Sequence, residues 1–125
     1  MGADLYITGI DEEDGGYYRD SYNATSILWR LGMSWWELFE EYNLGDSDSE
    51  MTPEQAEGFL ERVIAGKPLL DEFLDEELSV EWLKTNHCVA DDLDGWVKMW
   101  SEKYDMLVEF LNLSISENAP IYWSV

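Results

Sequence analysis

Short apolar strands are expected at the two ends of the chain, with apolar positions at helical spacing between them. Leu5-Tyr6-Ile7-Thr8 reads as a strand of aromatic and β-branched residues closed by Gly9. Ser21 is expected to cap a helix that runs through Ile27, Leu28 and Leu31 and stops at Gly32. Ser34-Trp35-Trp36-Glu37 has the capping-box spacing, which opens a short helix with Leu38, Phe39 and Tyr42 inward and Gly45 beyond it. Thr52-Pro53-Glu54-Gln55 is the strongest helix start: a cap, proline at the first helical position, and Gln three residues after Thr. Phe59, Leu60, Val63 and Ile64 form the buried stripe of that helix, and Gly66 ends it. Leu69, Leu70, Phe73, Leu74 and Leu78 continue at helical spacing, with Asp71, Glu72, Asp75, Glu76 and Glu77 opposite them.

The longest helix is predicted from Asp91 to about Leu113. Leu93, Trp96, Trp100, Tyr104, Leu107 and Leu111 line one side of it, and Asp94 and Lys98 are spaced as an i,i+4 pair. Pro120 then introduces a terminal strand, Ile121-Tyr122-Trp123-Ser124-Val125. Neither end strand is stable alone, so the two are expected to pair. The predicted fold is a mainly helical α+β single domain over residues 1–125, with a small sheet formed by the N- and C-terminal strands.

Composition decides whether such a chain folds. Acidic chains are often disordered because they have too little apolar surface to offset the entropy of ordering. Here 46% of residues are hydrophobic, with seven Trp, seven Tyr and four Phe. Each aromatic buries roughly 150–250 Å², enough for a real core. A single cysteine, Cys88, excludes an intramolecular disulfide framework. No secretory signal and no apolar run near the ~20 residues of a membrane span are visible, so a cytoplasmic protein is expected. The glycosylation patterns at Asn23 and Asn112 then have no consequence.

Met1-Gly2-Ala3-Asp4-Leu5-Tyr6-Ile7, Tyr18-Arg19-Asp20-Ser21-Tyr22-Asn23, Leu31-Gly32-Met33-Ser34-Trp35-Trp36 and the closing Pro120–Val125 resemble segments of a group of phage and prophage proteins. That group has no assigned activity, so no catalytic residue carries over. The resemblance implies a phage origin, and hence action in the host cytoplasm. Group members carry a longer, more basic segment after the first strand, where this chain has the short acidic Asp11 to Gly16.

Three groupings invite a chemical reading. His87-Cys88 with Asp91 and Asp92 is the only set of nucleophile, base and acids. Cysteine chemistry needs a thiolate, which positive surroundings favour, and these surroundings are acidic. A structural cysteine and a surface histidine are the expectation, and structural zinc sites use more Cys and His. Asp46-x-Asp48-x-Glu50 with Glu57 twelfth resembles a calcium loop, but Met51 stands where the turn needs glycine and Pro53 follows. A solvated loop leading into a capped helix is expected instead. Arg19 to Asn23 is a varied polar run for which local hydrogen bonding at a helix start is expected. Trp35 and Trp36 cannot both face inward fully as consecutive helical residues, so either one is exposed, as an interface anchor would be, or the helix packs on two sides. No phosphate loop or nucleophile elbow is present. No enzyme activity, cofactor or metal is expected.

Charge is the remaining route to a function. The chain carries 28 Asp+Glu against 7 Lys+Arg, a net −21, and Glu37 to Glu81 alone holds fifteen acids against Arg62 and Lys67. Repulsion on this scale opposes a compact fold. A globule of this mass exposes about 6,900 Å², so evenly spread charge gives about one per 330 Å². A duplex carries roughly one phosphate per 100 Å² of cylinder. Only charge gathered on a face approaches that. Such a surface repels nucleic acid and anionic membranes, and it suits a basic nucleic-acid-binding protein or complex.

The expected function is an acidic inhibitor, a DNA mimic of the anti-CRISPR or anti-restriction kind. Its candidate contact residues are Asp11, Glu12, Glu13, Asp14, Glu40, Glu41, Asp46, Asp48, Glu50, Glu54, Glu57, Glu61, Asp71, Glu72, Asp75, Glu76 and Glu77. An immunity or antitoxin protein against one cationic nuclease uses the same physics. Two further readings of the same composition are an acidic globule from a high-salt organism and a small carboxylate hydrolase.

Overall fold

β1 (Gly2–Ile7) and β4 (Ile121–Ser124) pair antiparallel, joining the two ends of the chain. The computed structural model describes residues 2–42 and 50–124. The expected Gly45 stop, the loop from Asp46 to Ser49, and Val125 lie outside the described residues. β1 alternates as its sequence requires: Ala3, Leu5 and Ile7 are buried, while Asp4 and Tyr6 point to the other face. The outer strands are β2 (Tyr17–Ser21), on β1, and β3 (Glu50–Met51), on β4, giving the order β2-β1-β4-β3 with every pairing antiparallel.

β2 corrects the expectation that Ser21 caps a helix. Tyr18 and Asp20 face the core and Tyr17 and Arg19 face away, which is a strand's two-residue period. The hairpin closes through a 3-10 turn, Glu12–Asp14. Gly15 follows at φ 91°, and a Cβ on Gly16 would lie 2.0 Å from the Ile10 carbonyl oxygen, so only glycine fits there. The helix begins later, as the single turn α1 (Ile27–Arg30).

The starts of the next two helices are where the sequence puts them. Ser34 accepts from the Glu37 N–H at the head of α2 (Trp35–Glu41). Thr52 and Gln55 close a full capping box on α3 (Pro53–Ala65). α4 (Lys67–Glu72) passes into a π-helical turn, Phe73–Glu77, and α5 (Val80–Thr85) follows. The regular helix expected over Leu69 to Leu78 is therefore divided. Leu70, Phe73 and Leu78 are buried, but Leu69 is half exposed, with one methyl over Gly32. Ile64 is also exposed, since Ala56, Phe59 and Val63 form the face by which α3 packs.

α6 (Leu93–Ser116) is the longest element, capped by Asp92, whose carboxylate accepts from the Gly95 N–H at 3.0 Å. It packs on α3, β2 and α1 through Trp100, Tyr104, Leu107 and Leu111. The core is strongly aromatic. Trp35 meets Phe59 and Trp123, and Trp100 meets Phe73, Trp82 and Trp96, with ring centroids 5.0–6.2 Å apart across the two sets.

Candidate partner-binding surface

Every candidate carboxylate within the described residues is exposed. Asp46 and Asp48, and with them the calcium-loop pattern, lie outside those residues. On α3, Glu54, Glu57 and Glu61 stand at i, i+3 and i+7, opposite Ala56, Phe59 and Val63. Arg62 on the same helix pairs with Glu41 of α2, which sets a cation beside these acids.

α6 carries a further acidic ridge, outside the set of candidate residues. Asp94, Glu102, Asp105 and Glu109 are all exposed and lie opposite Trp100, Tyr104, Leu107 and Leu111. Lys98 sits in this ridge and reaches Glu102 at 3.8 Å, in place of the expected pair with Asp94. The spacing carries the signal, since 94, 98, 102, 105 and 109 share one helical face. The denser acidic run before residue 82 masks it in the sequence.

The ridge meets a Lys–Asp pair on one flank and a further acid on the other. On one flank Lys67 lies 3.3 Å from Asp71 of α4 and 5.5 Å from the Tyr104 ring of α6. Burial raises the Tyr104 hydroxyl above its ordinary range; Lys67 opposes this, and Asp105 and Asp71 both reinforce it. On the other flank Glu109 and Asp14 line the same concavity, of about 310 Å³. Acidic surface therefore runs from α6 to the Glu12–Asp14 turn, and the Lys67–Asp71 pair bounds it on the α4 side.

Arg19 to Asn23 has a structural role. Asp20 is 1% exposed and accepts from Ser26 Oγ at 2.8 Å, the Ile27 N–H at 3.0 Å, Trp35 Nε1 at 2.8 Å and Lys103 Nζ at 2.8 Å. Its bond to Ile27 does cap a helix start, as expected of this run, but from a strand earlier in the chain. Arg19 lies 3.5 Å from Asp4 on the outer face of the sheet. There Tyr6 stacks between Tyr17 and Tyr122, with both centroid distances 5.0 Å.

No protein family, curated protein or solved structure matches the chain. His87 and Cys88 form a helix stop: His87, at φ 60°, donates its N–H to Lys84, and Cys88 donates to Leu83, closing α5 in a Schellman arrangement. His87 is exposed and Cys88 packs against the core, as expected of a surface histidine and a structural cysteine. Among the described residues no three His, Cys, Asp or Glu side chains are grouped to hold a metal ion. No helix among them is long and apolar enough to cross a membrane.

Two aromatic features break the acidic surface. Trp35 is 1% exposed and Trp36 58% exposed, which favours one exposed tryptophan over a helix packed on two sides; Trp36 stacks on Tyr22. A second concavity, lined by Trp29, Leu69, Glu72, Phe73 and Glu77, holds Arg30. Its guanidinium lies 4.3 Å from the Phe73 centroid and 5.3 Å from that of Trp82. Burial lowers the Arg30 pKa and Glu77 opposes that shift. Here an arginine lies over ring faces, while its buried Nε has no hydrogen-bond partner among the described residues.

Proposed function

We propose that this protein is an acidic inhibitor, a DNA mimic that lays its carboxylates into the basic nucleic-acid-binding groove of a target protein or complex. In this reading it is a phage-encoded anti-defence factor, of the anti-CRISPR or anti-restriction kind, and acts in the host cytoplasm. The observation that supports it is the acidic ridge of α6, continued by Asp14 on one flank.

Magnitudes favour a gathered surface over a merely solvated one. Spread over 7276 Å² of surface, the 21 net charges give about one per 350 Å², against roughly one per 100 Å² on a duplex. Along α6 the spacing is much closer. Asp94 to Glu109 covers about 22 Å of helix axis with acids roughly 4–6 Å apart over its second half. A single DNA strand offers a phosphate per ~3.4 Å. With Lys98 counted, the ridge carries a net −3 over that length, a little under half the linear charge of one strand, and it is densest in its second half.

In the mechanism these carboxylates replace phosphates against Arg and Lys of the groove. Long-range attraction speeds encounter, and charge-assisted hydrogen bonds hold the docked state. Nucleic acid is excluded because the groove is filled. The test is affinity capture from a bacterial lysate at low and moderate salt. Basic nucleic-acid-binding proteins are expected at low salt and should fall away as salt rises. Their absence at low salt would defeat the reading.

A further inference from the structure

We propose that the outer edge of β2 is a docking site for one extended segment of the basic partner, which adds to the sheet as a further strand. This rests on the inhibitor reading for the partner's charge and names the part of the partner that is held. The phase of the ladder identifies the open edge. Ile7 donates its N–H to Gly16 at 2.9 Å and Thr8 donates to Pro120 at 2.9 Å. The odd residues of β1 therefore bond to β2 and the even ones to β4. By the same alternation Tyr18 and Asp20 turn their backbone groups to β1, and Tyr17, Arg19 and Ser21 turn theirs outward. β2 is the last strand on its side, and no turn, loop or cap among the described residues bonds to those three.

An exposed edge is ordinarily blunted by shortness, proline, a bulge or a charge. β3, at the other edge, spans two described residues. β2 is five residues long, pairs in unbroken register from Gly2–Ser21 to Tyr6–Tyr17, and contains no proline. Its one exposed charge is Arg19, which lies 3.5 Å from Asp4. The same side chain passes Gly2, where a Cβ would come within 3.2 Å of Arg19 Nε. The guanidinium is thus folded back across β1, and the edge stays uncovered.

The space beside that edge suits a strand. One laid ~4.8 Å from β2 runs along the concavity, about 310 Å³, that Tyr17 and Tyr18 share with Met106 and Leu113 of α6. Alternate side chains of the added strand face α6, where Met106 is 55% exposed, and the others lie on the outer face with Tyr17 and Arg19. Backbone bonds supply the hold, and the alternation supplies the selectivity. A second copy is disfavoured because each chain carries −21. A segment rich in Lys and Arg instead complements the acidic Glu12–Asp14 turn that leads into β2. The segment runs antiparallel, as every pairing in this sheet does.

The probe is the end-blocked peptide Lys-Lys-Val-Thr-Val-Thr-Val-Lys-Lys, titrated into the full chain at low salt with amide exchange followed by NMR. In the antiparallel arrangement its Thr residues bond to the edge and its Val side chains face α6. The peptide is expected to slow exchange of the Arg19 amide about tenfold or more, and to leave the Asp20 amide, already turned to β1, unchanged. N-methylation of the Thr residues should weaken binding about tenfold, and N-methylation of the Val residues by less than about twofold. Arg19→Pro removes an N–H that β1 does not use, and Met106→Asp adds a further acid at an exposed position; each should weaken binding severalfold. Binding without protection of the Arg19 amide, equal affinity for the two methylated peptides, or no binding would overturn the proposal and leave the inhibitor reading standing. Arg19 protection in the chain alone that rises with its concentration would give the edge to a second copy, and would also overturn it. Failure of the native chain to capture any basic protein is the separate result that removes the inhibitor reading.

Discussion

Asp20 and the α6 ridge use the same functional group in opposite ways. Asp20 is buried and takes donors from a serine, a backbone amide, an indole and an ammonium, gathered around β2 by α1, α2 and α6. Asp105 and Glu109 are exposed and have no ion-pair partner among the described residues. A carboxylate inside the fold is tolerable only when its partners are complete. Carboxylates left uncompensated on the surface add repulsion and nothing to the core. The difference separates acids that hold this protein together from acids that are available to something else.

The sharpest way to break the comparison is Asp20→Ala. It leaves the largely buried Lys103 without its counter-charge, so a loss of about 3–5 kcal/mol is expected, read as a lower urea midpoint. If the midpoint hardly moves, Asp20 belongs with the surface acids after all.

Tyr18 tests the same interior by pH. Its hydroxyl donates to the Lys103 carbonyl at 3.1 Å, and burial first, then Asp20, raises its pKa well above 10.0. Above the unfolded value the unfolded chain loses this proton before the folded chain does, so stability falls as pH rises beyond about 10. Urea midpoints at increasing alkaline pH should decline, and Tyr18→Phe should flatten the decline. An unchanged slope in that variant would mean that other groups cause it.

Asp92 is an intermediate case, an exposed carboxylate with one structural bond. Asp92→Ala removes the cap of α6 and should cost about 1 kcal/mol, visible in thermal unfolding. The smallest effect on stability is expected from Glu102→Lys, Asp105→Lys and Glu109→Lys together. Relief of repulsion should leave the melting temperature unchanged or slightly higher. A marked fall would show that the ridge supports the fold.

How far these roles are legible in the sequence depends on the range of the interactions. Thr52, Pro53 and Gln55 signal α3 because a capping box is complete within four residues. The end strands are legible because both alternate and neither stands alone. β2 is hidden because Arg19 and Asp20 look like surface residues until Lys103, distant in sequence, supplies the buried charge. The π-helical turn after α4 leaves no local mark that distinguishes it from a continuing helix. Exposure of the central acids follows from their placement opposite apolar stripes. Glu102, Asp105 and Glu109 do not stand out in the same way, because Lys98 and Lys103 interrupt them along the chain. The join between ridge and turn depends on how the hairpin meets α6, which no local pattern contains.

The most direct test of the inhibitor reading is competition for a captured target. Fluorescence anisotropy of a labelled duplex bound to that target is followed at low salt as the native protein is added. The account predicts that the duplex is released as the protein binds, and that the triple reversal on α6 releases it far less well. A duplex that stays bound while the protein also binds, or a triple variant that competes as well as the native chain, would contradict it.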